Sequence, residues 1–534
     1  MGFFLHSEVP WAPSMHWPAV DADHLLVRSD QMLELEQQWL SSGLPVAALM
    51  ETVGQRMAEW CLQRPDRLAQ GVLVLVGPGH NGGDGLVLGR KLLEKGIAVR
   101  LWAPLPLRQA LTHEHWRHLL WLGVPVQEFE PDPADPSLWI DALFGLGQTR
   151  PLPDQVTQLL QQRQLSAPGQ LISLDCPAGL DSDSGTPLGT AVAVASDTLT
   201  VALIKRGLVQ DAALPFAGKV HRIDPGVPPR LMASLTSPLV FQVGASDLKT
   251  LPVPAEKSTA MKYERGRLLL IAGSERYRGA AHLAVRGALA SGAGSVRAAL
   301  PKVVDQQLWQ WAPEVVSEPA LESDDSGSLL WGAALERSDL SRLDALLLGP
   351  GLGLMEGVWR GWAEPLQTFR GLLVLDADAL NQLSGDVEGW RWFLKRMGPT
   401  WITPHPQEFE RLFPFCDQGS PLERAAAAAE RSGAVVLLKG AHSVIADPSG
   451  SVRQLVGTDC QVARTGLGDL LAGLAGGWGA RLQAAASPAD GAALAAAGLL
   501  HAQAACGCSR SSGALTIADQ LTQLVRSVTR LSDE

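Results

Sequence analysis

Short apolar runs, each followed by a polar or glycine-rich turn, recur along both halves of the chain. The clearest runs cover residues 72–76, 268–271, 344–348, 372–375, 401–402 and 434–438. Runs of this length without polar alternation are typical of strands that are buried on both faces of a mostly parallel sheet. Helical periodicity follows several of the turns, as in residues 279–293. The pattern therefore predicts an α/β protein in which strands alternate with helices.

Polar side chains and glycines cluster immediately after these apolar runs. In the second half the clusters are GPGLG (349–353), DADALN (376–381), TPHPQE (403–408) and KGAH (439–442). In the first half they are GPGHNGGDG (77–85), DALFGLG (141–147) and DCPAGLD (175–181), followed by TLTVALIKRG (198–207). Open α/β sheets bind ligands at the carboxyl ends of their strands. We therefore expect one ligand site at this edge in each half.

The segment 463–469, ARTGLGD, precedes the apolar periodic stretch 470–478 and predicts an anion-binding helix start. Glycines free the backbone N–H groups of a helix N-terminus to meet a phosphate. Asp469 stands where a substrate hydroxyl would lie, so the segment predicts phosphoryl transfer with Asp469 as base. The alternative is that Asp469 only caps the helix.

The glycine-rich turn of the first half contains the letters GxGxxG, which also occur in redox dinucleotide sites. Such a site needs an acidic residue near the end of the next strand. The next strand, predicted over 97–102, ends in Ala103-Pro104, so a redox site is disfavoured. Instead, Asp141 and Asp175 follow two later strands and should gather beside the NGGDG turn.

Composition narrows the class of protein. The chain has 534 residues, which exceeds what one core usually serves, and the Pro-rich stretch 225–254 predicts a seam between domains 1–235 and 236–534. The net charge of −11 argues against nucleic acid or an anionic membrane as partner. Six scattered cysteines and an N-terminus without a signal or lipidation pattern predict a cytoplasmic protein.

In their order along the chain, the motifs of the second half resemble those of the ribokinase-like, ADP-dependent NAD(P)H-hydrate dehydratases, over about residues 257–525. Those of the first half, together with Leu49-Met50-Glu51, resemble the NAD(P)H-hydrate epimerase domain over about residues 25–220. The resemblance implies an N-terminal Rossmann-like three-layer sandwich and a C-terminal ribokinase-like α/β domain.

The same resemblance implies a bifunctional enzyme that repairs hydrated NADH and NADPH. The first domain would interconvert the R and S epimers of NADHX and NADPHX. The second would dehydrate the S epimer at the expense of ADP, giving NAD(P)H, AMP and phosphate. ADP, Mg²⁺ and K⁺ are the implied cofactors, and a homo-oligomer without nucleic-acid or membrane partners is expected.

Roles carry over from the family by position. Asp469 and Asp175 are the implied catalytic residues. The implied contacts to the hydrated cofactor are His80, Asn81, Gly82, Gly83, Asp84, Gly145, Leu146, Gly147, Lys205, Ala280, Gly351 and His405. The implied nucleotide contacts are Lys439, Gly440, Ala441, His442, Ser443, Gly466 and Gly468, and the implied potassium ligands are Asn81, Asp141 and the position of Ala178.

The chain departs from the family pattern at several of these places. His80 stands where the family usually has Asn, and Ala178 where it usually has a potassium-binding Ser. Residues 458–462, TDCQV, replace the usual Gly-Asn-Pro-Gly-Met, and residues 261–263, MKY, replace His-Lys-Gly. These departures put potassium dependence and the fit of the substrate in question.

Several residues have a structural interpretation beside the functional one. Asp376 and Asp378 are either paired catalytic carboxylates or, for Asp376, a turn cap that arranges magnesium indirectly. His405 between two prolines is either a substrate contact or a rigid turn, and Lys205 either orients a phosphate or pairs with an acid. Asp175 is either a base or an Asx-type cap of the turn that follows it.

Two rival functions share the same motifs. A small-molecule kinase of the ribokinase type would use the same glycine-rich helix start and would release a stable phosphorylated product. A nucleotide sensor or protein-interaction module without turnover would explain the altered His80 and Ala178. No GxxxxGK[ST] segment occurs in the chain, so a P-loop is excluded.

Overall fold

The computed structural model describes residues 17–531, except 237 and 356, as two β-sheets with helices on their faces. The strands are β1 Leu25–Val27, β2 Val72–Val76, β3 Val99–Trp102, β4 Leu138–Ala142, β5 Leu171–Leu174, β6 Asp197–Val201, β7 Ile204–Lys205, β8 Lys219–Ile223, β9 Val240–Val243, β10 Arg267–Ile271, β11 Ser295–Ala299, β12 Val316–Ser317, β13 Ala345–Leu348, β14 Leu372–Leu375, β15 Thr400–Ile402, β16 Val435–Leu438, β17 Val444–Ala446 and β18 Val452–Leu455.

The helices alternate with the strands over most of the chain. They are α1 Ser29–Ser41, α2 Val46–Leu62, α3 Pro65–Leu68, α4 His80–Leu93, α5 Ala110–Trp121, α6 Asp154–Ser166, α7 Leu214–Ala217, α8 Pro229–Met232, α9 Arg278–Ala290, α10 Lys302–Trp311, α11 Gly332–Arg337, α12 Val358–Thr368, α13 Asp378–Ser384, α14 Pro406–Leu412, α15 Pro421–Ser432, α16 Leu467–Ala484, α17 Gly491–Cys506 and α18 Ala514–Leu531. Short 3₁₀ helices include Arg206–Val209 and Asp211–Ala213.

The smaller sheet has the strand order β3-β2-β4-β5-β6-β8, and every neighbouring pair is parallel. Alternate residues of β2 face opposite sides, because side chains along a strand alternate. Val72, Val74 and Val76 pack with α2 and α4, whereas Leu73 and Leu75 pack with α6. Both faces are covered, and the predicted three-layer sandwich is confirmed.

The larger sheet has the order β12-β11-β10-β13-β14-β15-β16-β17-β18-β9-β1-β7. All neighbouring pairs from β12 to β16 are parallel, and β17 pairs antiparallel with both β16 and β18. Strand β9 pairs parallel with β18 and antiparallel with β1, and β1 pairs parallel with β7. The two last strands come from the first half of the chain. The halves of the molecule are therefore joined by a shared sheet, which the sequence pattern did not predict.

Helix α16 is the central packing element of the larger sheet. It lies against β10, β13 and β14 and also against α9. Two glycines make the helix contact close: a Cβ on Gly287 would lie 2.1 Å from the carbonyl oxygen of Leu470, and one on Gly473 would lie 1.9 Å from that of Ala284. Only glycine permits such an approach of two backbones. This packing fixes the N-terminus of α16, where Asp469 lies.

Candidate active sites

The first site is a cavity of about 380 Å³ at the carboxyl ends of the strands of the smaller sheet. Of the predicted residues, its lining includes His80, Asn81, Asp84, Gly145, Leu146, Gly147, Asp175 and Lys205. Apolar side chains of α1 and α2 close the opposite wall; they include Met32, Leu33, Trp39, Val46, Leu49, Met50 and Val53. The cavity therefore combines an apolar wall with a polar floor, as ligand pockets commonly do.

Gly82 and Gly83 do not line this cavity but pack α4 against its neighbours. A Cβ on Gly82 would lie 2.2 Å from the carbonyl oxygen of Gly77, and one on Gly83 would lie 2.6 Å from Cε of Met50. The glycine-rich turn therefore serves close packing at these two positions. Gly145 is different, because a Cβ there would lie 3.0 Å from Oδ2 of Asp175 inside the site.

Asp175 is the most constrained polar residue of the first site. Its φ is +63°, in the left-handed region that non-glycine residues rarely adopt. Its carboxylate accepts hydrogen bonds from Lys205 Nζ at 2.5 Å, from the Leu146 N–H at 3.0 Å and from the Val201 N–H at 3.3 Å. Strained backbone of this kind is found where surrounding structure enforces a functional position.

Lys205 is buried and bonds to more than Asp175. Its Nζ also donates to the carbonyl of Val201 at 2.7 Å and to Thr200 Oγ1 at 3.2 Å. The residue therefore pairs with an acid, as one of the two sequence interpretations holds, but the pair lies inside the cavity and not on the surface. An ion pair at this place holds a cation and an anion beside any ligand that enters.

Two further carboxyl groups face the first site. Burial, followed by the charges of Asp175 and Glu36, raises the pKa of Asp84 well above its ordinary value. Burial and the charge of Asp175 also raise the pKa of Glu36. Sequence analysis missed Glu36, because it lies on the amphipathic helix α1, outside both sets of motifs.

Of the three predicted potassium positions, Asn81 lines the cavity, whereas Asp141 and Ala178 are fully buried, hydrogen-bonded to each other and not part of its lining. Asp141 is buried and accepts hydrogen bonds from Ser173 Oγ at 2.8 Å, from the Ala178 N–H at 2.9 Å and from the Leu143 N–H at 3.2 Å. Burial raises its pKa to about 6, although these bonds lower it. Asn81 donates Nδ2 to the Leu174 carbonyl at 3.2 Å, while its Oδ1 is buried without a partner among the described residues.

The second site surrounds the N-terminus of α16. Gly466 caps the helix with φ +92°, which suits glycine, and Asp469 lies in the first helical turn. Burial and the charge of Asp376 raise the pKa of Asp469 to about 7, while Lys439 opposes the shift. A carboxyl group with this pKa accepts a proton readily near neutral pH.

Lys439 links the glycine-rich helix start to the DADALN turn. Its Nζ donates to Asp376 Oδ1 at 2.6 Å, and Thr403 Oγ1 donates to the same atom at 2.9 Å. A Cβ on Gly468 would lie 3.4 Å from this Nζ. The structure therefore brings a cation, a helix N-terminus and Asp469 together, which is the arrangement that stabilises a transferring phosphoryl group.

The GPGLG turn closes another side of the second site. Gly351 has φ +63°, and a Cβ on it would lie 2.7 Å from Cβ of Ala280. The Gly353 N–H donates to Asp378 Oδ2 at 2.8 Å, and burial raises the pKa of that carboxyl group. Asp378 thus holds the turn, whereas Asp376 pairs with Lys439.

His405 caps helix α14. Its Nδ1 accepts from the Gln407 N–H at 3.1 Å, and its Nε2 lies 3.2 Å from Glu408 Oε1. Burial and the charge of Lys439 lower the pKa of His405. The hydrogen bonds therefore support the interpretation of His405 as part of a rigid turn. The effect of the Lys439 charge on its pKa places the imidazole near the second site.

The segment 439–443 forms the loop between β16 and β17. Within it, the Gly440 N–H donates to Ser443 Oγ at 3.3 Å. His442 Nδ1 donates to the Val209 carbonyl at 2.8 Å, across the boundary between the two halves. The predicted nucleotide segment therefore begins at the lysine of the second site and then runs against the first half of the chain.

Sequence analysis missed His501, which lies on α17 behind the helix start. Burial lowers its pKa to about 4, and the N-terminal residue of α16, Leu467, interacts with it through the backbone. Its Nε2 has no hydrogen-bond partner in the described part of the chain. The surrounding segment is almost entirely alanine, glycine and leucine, so its pattern indicates only a packed helix.

Within residues 17–531, without 237 and 356, no group of three or more His, Cys, Asp or Glu side chains is placed to hold a metal ion by itself. No helix in this part of the chain is long and apolar enough to cross a membrane.

Two family profiles match the chain. One, described as NAD(P)H-hydrate dehydratase, matches residues 268–527, and the other, described as YjeF-related protein N-terminus, matches residues 46–207. The first range contains the second site, and the second range contains the first site apart from Pro225 and the wall that α1 provides.

The chain is also similar to curated and solved proteins. It is 39% identical over 456 residues to the bifunctional NAD(P)H-hydrate repair enzyme Nnr of Synechocystis sp., covering 85% of each chain. It is 38% identical to the enzyme of the same name from Gloeobacter violaceus, covering 84% of this chain and 88% of that one. The ADP/ATP-dependent NAD(P)H-hydrate dehydratase of Bacillus subtilis, crystallised with ATP and Mg²⁺, matches with 25% identity and a TM-score of 0.43, covering 53% of this chain and 96% of that chain.

Proposed function

Because the chain belongs to the family of bifunctional NAD(P)H-hydrate repair enzymes, we propose that its two sites repair hydrated NADH and NADPH together. The first site interconverts the R and S epimers of NAD(P)HX, and the second dehydrates the S epimer. Hydration without an enzyme yields both epimers, whereas a chiral dehydratase accepts one. An epimerase on the same chain keeps the other epimer from accumulating.

The observation that carries the proposal is the position of Asp469 beside the Lys439–Asp376 pair at the N-terminus of α16. Asp469 takes the proton of the substrate hydroxyl while the hydroxyl oxygen forms a bond to the terminal phosphorus of the nucleotide. The N–H groups of Gly466 and Gly468 and the Lys439 cation stabilise the charge on the transferring phosphoryl group. The nucleotide leaves with one phosphate fewer.

Phosphorylation solves the chemical problem of the dehydration, because hydroxide is a poor leaving group and phosphate is a good one. The lone pair of the ring nitrogen expels the phosphate, and the neighbouring ring carbon then loses a proton to give the reduced nicotinamide. Ala280, Gly351 and His405 surround the bound nicotinamide, and residues 439–443 hold the nucleotide.

In the first site we assign the proton transfer to Asp175. Its carboxylate takes the hydroxyl proton at the hydrated carbon while the bond from this carbon to the ring nitrogen breaks, which leaves an aldehyde and a nitrogen that receives the proton. When the nitrogen adds back to the opposite face of the aldehyde, the proton returns to the oxygen and the other epimer forms. Lys205, hydrogen-bonded to Asp175 at 2.5 Å, orients this carboxylate. The apolar wall from α1 and α2 keeps the reacting ring away from bulk water.

The first site also fits a potassium ion through one atom. Asn81 Oδ1 is a hard oxygen that is buried without a partner among the described residues, which is what a bound cation would satisfy. Asp141 is fully buried and its carboxylate already accepts three hydrogen bonds, and Ala178 offers no side-chain oxygen. K⁺ bound here would favour the charged form of Asp84, which burial disfavours.

Magnesium fits the second site as a partner of the nucleotide phosphates. Mg²⁺ commonly uses one or two protein carboxylates together with phosphate oxygens. Asp376 and Asp378 are the two carboxylates beside Lys439 and Gly353. In this arrangement the ion screens the phosphate charge, and Asp469 remains free to accept the proton.

ADP is the proposed phosphoryl donor. The fused order of epimerase and dehydratase resembles the bacterial enzymes that use ADP. Physically, the β-phosphate must then lie beside the N–H groups of Gly466 and Gly468, and the extra phosphate of ATP would move the terminal group out of line. We also expect a cytoplasmic homo-oligomer.

The test incubates the purified full chain with Mg²⁺ and either mixed or pure S epimers of NADHX, with purified ADP or ATP. Absorbance of the reduced cofactor reports dehydration, and AMP or ADP identifies the donor. We expect full repair of the mixture, and faster repair with ADP. A phosphorylated product that accumulates would identify a simple kinase, and failure to exchange the epimers would reduce the first domain to a binding module.

A further inference from the structure

The loop 439–443 of the second site is held by a residue from the other half of the chain. Asp211, in the 3₁₀ helix Asp211–Ala213, accepts the Ala441 N–H at 2.9 Å and the His442 N–H at 2.8 Å. Each oxygen of this carboxylate takes one of the two bonds. Two adjacent N–H groups that converge on one carboxylate form a charge-assisted, two-point contact.

The glycine at position 440 is adapted to the same carboxylate. A Cβ on Gly440 would lie 2.8 Å from Oδ2 of Asp211, which is closer than real Cβ atoms come to an oxygen. The absence of a side chain at Gly440 therefore lets Asp211 reach the loop. The resemblance to the family placed Gly440 in the nucleotide segment, and the contact with Asp211 explains why a glycine stands at this position.

The surroundings of Asp211 fix it against the second half. The preceding Val209 carbonyl accepts from His442 Nδ1 at 2.8 Å and from Gln454 Nε2 at 3.0 Å. Gln210 Nε2 donates to Gln454 Oε1 at 2.8 Å, and this contact is buried. The segment 209–211 is thus bound to both the loop 439–443 and the strand β18.

We propose that Asp211 is a positioning residue of the second site, supplied to it by the first half of the chain. It holds the backbone of residues 440–442, and so fixes Lys439, whose Nζ bonds to Asp376 at 2.6 Å beside Gly468. The inference rests on the proposed function, because it assigns the loop to nucleotide binding. It adds that the nucleotide site is incomplete without the first half.

The same segment reaches the first site at its other end. Lys205, the partner of Asp175, is the last residue of β7, and the 3₁₀ helix Arg206–Val209 leads from it directly to residues 210 and 211. The proposal itself concerns only the second site.

The test compares the full chain with Asp211→Ala, Asp211→Asn and Asp211→Glu. Affinity for ADP and ATP is measured by calorimetry, together with kcat and KM for dehydration of S-NADHX and the rate of epimerisation. Asp224→Asn is the matched control, because Asp224 also accepts two backbone N–H groups, those of Gly226 and Val227, but within its own turn.

We expect Asp211→Ala to raise the Kd and the KM for the nucleotide about tenfold, as loss of a charged acceptor for two backbone donors implies. The epimerisation rate should change less than about twofold, because the bonds of Asp211 go to the loop of the second site. The value of kcat for dehydration should fall together with the affinity, because Lys439 also stabilises the transferring phosphoryl group. Asp211→Glu should recover part of the nucleotide affinity by restoring the charge. The nucleotide Kd of Asp211→Asn should lie between those of Asp211→Glu and Asp211→Ala, and that of Asp224→Asn should match the unaltered chain.

Interaction with Gly440 provides a second measurement. If both residues act on one loop, the effects of Asp211→Ala and Gly440→Ala on nucleotide Kd should be less than additive in the double variant. An unchanged nucleotide Kd in a folded Asp211→Ala variant would overturn the proposal. An equal loss of epimerisation, dehydration and thermal stability would also overturn it, because it would indicate a general structural role.

The two hypotheses fail separately. If the unaltered chain binds ADP but does not dehydrate S-NADHX, the proposed function is wrong, and the shift in Kd still tests the positioning role. If the unaltered chain dehydrates S-NADHX, and the Asp211→Ala variant binds ADP as tightly as the unaltered chain, only the positioning role is wrong.

Discussion

The two aspartates to which we assign proton transfer lie at the same kind of sheet edge but are held in opposite ways. Asp175 follows β5 with φ +63° and accepts bonds from Lys205, Leu146 and Val201. Asp469 lies in the first turn of α16, where burial and the charge of Asp376 raise its pKa to about 7. Hydrogen bonds fix the position of the Asp175 carboxylate, whereas burial and a neighbouring charge set the pKa of the Asp469 carboxyl group.

This difference matches the chemistry that we propose for each site. A carboxylate fixed by an ion pair can exchange a proton at one place and return it, which suits an epimerisation without net change. A carboxyl group whose pKa burial raises to near neutrality accepts a proton readily at that pH, which suits the activation of a hydroxyl for phosphoryl transfer. Backbone strain thus serves orientation in one site, and burial serves basicity in the other.

The largest expected effect separates the two sites through Asp469. Asp469→Asn keeps the shape of the side chain but removes the base, so dehydration of S-NADHX should fall by roughly a hundred- to ten-thousandfold. Nucleotide affinity and epimerisation should remain, because Gly466, Gly468 and Lys439 are unchanged. Steady-state rates and ADP calorimetry check this expectation. Turnover near that of the unaltered chain would reduce Asp469 to a helix cap.

The reciprocal change is Asp175→Ala in the first site. It should lower the exchange of R and S epimers by at least about a hundredfold. The dehydration of pure S epimer should continue, since Asp175 follows β5 of the smaller sheet and Asp469 lies on α16, against the larger sheet. Because Lys205 then loses its buried partner, circular dichroism must show that the variant is folded. The comparison of two independent sites would be wrong if a folded variant lost dehydration equally.

Strand positions were largely predictable from the sequence, because each is a short run of apolar residues. The predicted strands 72–76 and 372–375 coincide with β2 and β14. Other ends shifted by one to three residues: the strand predicted over 97–102 begins at Val99, and the helix predicted over 279–293 is Arg278–Ala290. End residues depend on local hydrogen bonds, which periodicity does not encode.

Contacts between distant segments could not be predicted. Strands β1 and β9 pair although they are far apart in sequence, joining Leu25 to Phe241 and Leu26 to Val240, and no periodicity marks that pairing. His501 and Glu36 stand in apolar or amphipathic helices, and Asp211 follows the last motif of the first half. Motifs reveal residues that repeat between related proteins, whereas these residues owe their position to packing.

The dependence of dehydration on pH tests the raised pKa of Asp469 directly. A general base works deprotonated, so kcat/KM for dehydration should rise by roughly fiftyfold from pH 5 to pH 7, where half of the groups are deprotonated, and level off above pH 8. Asp376 and Asp378 raise the pKa of Asp469 through their charges, and Lys439 lowers it. Initial rates at saturating ADP measure the profile. A flat profile between pH 5 and 7 would exclude Asp469 as the base.

The smallest expected effects come from the two glycines at the start of α16. Glycine stands at these two positions for different reasons. Gly466 has φ +92°, and a Cβ there would lie 2.3 Å from Leu283 Cδ1, so Gly466→Ala should lower the free energy of unfolding by about 1–2 kcal/mol. Gly468 is helical, and a Cβ there would meet only Lys439 Nζ at 3.4 Å.

Gly468→Ala should therefore keep or raise the melting temperature, because alanine favours a helix over glycine by about 1 kcal/mol. Its methyl group would nevertheless lie beside Lys439, where we place the phosphate, and should raise the KM for ADP. Thermal denaturation and dehydration kinetics on both variants measure the two effects. A Gly468→Ala variant with an unchanged KM for ADP would show that the phosphate does not approach this turn of the helix, in contrast to the assignment made from the Lys439–Asp376 pair.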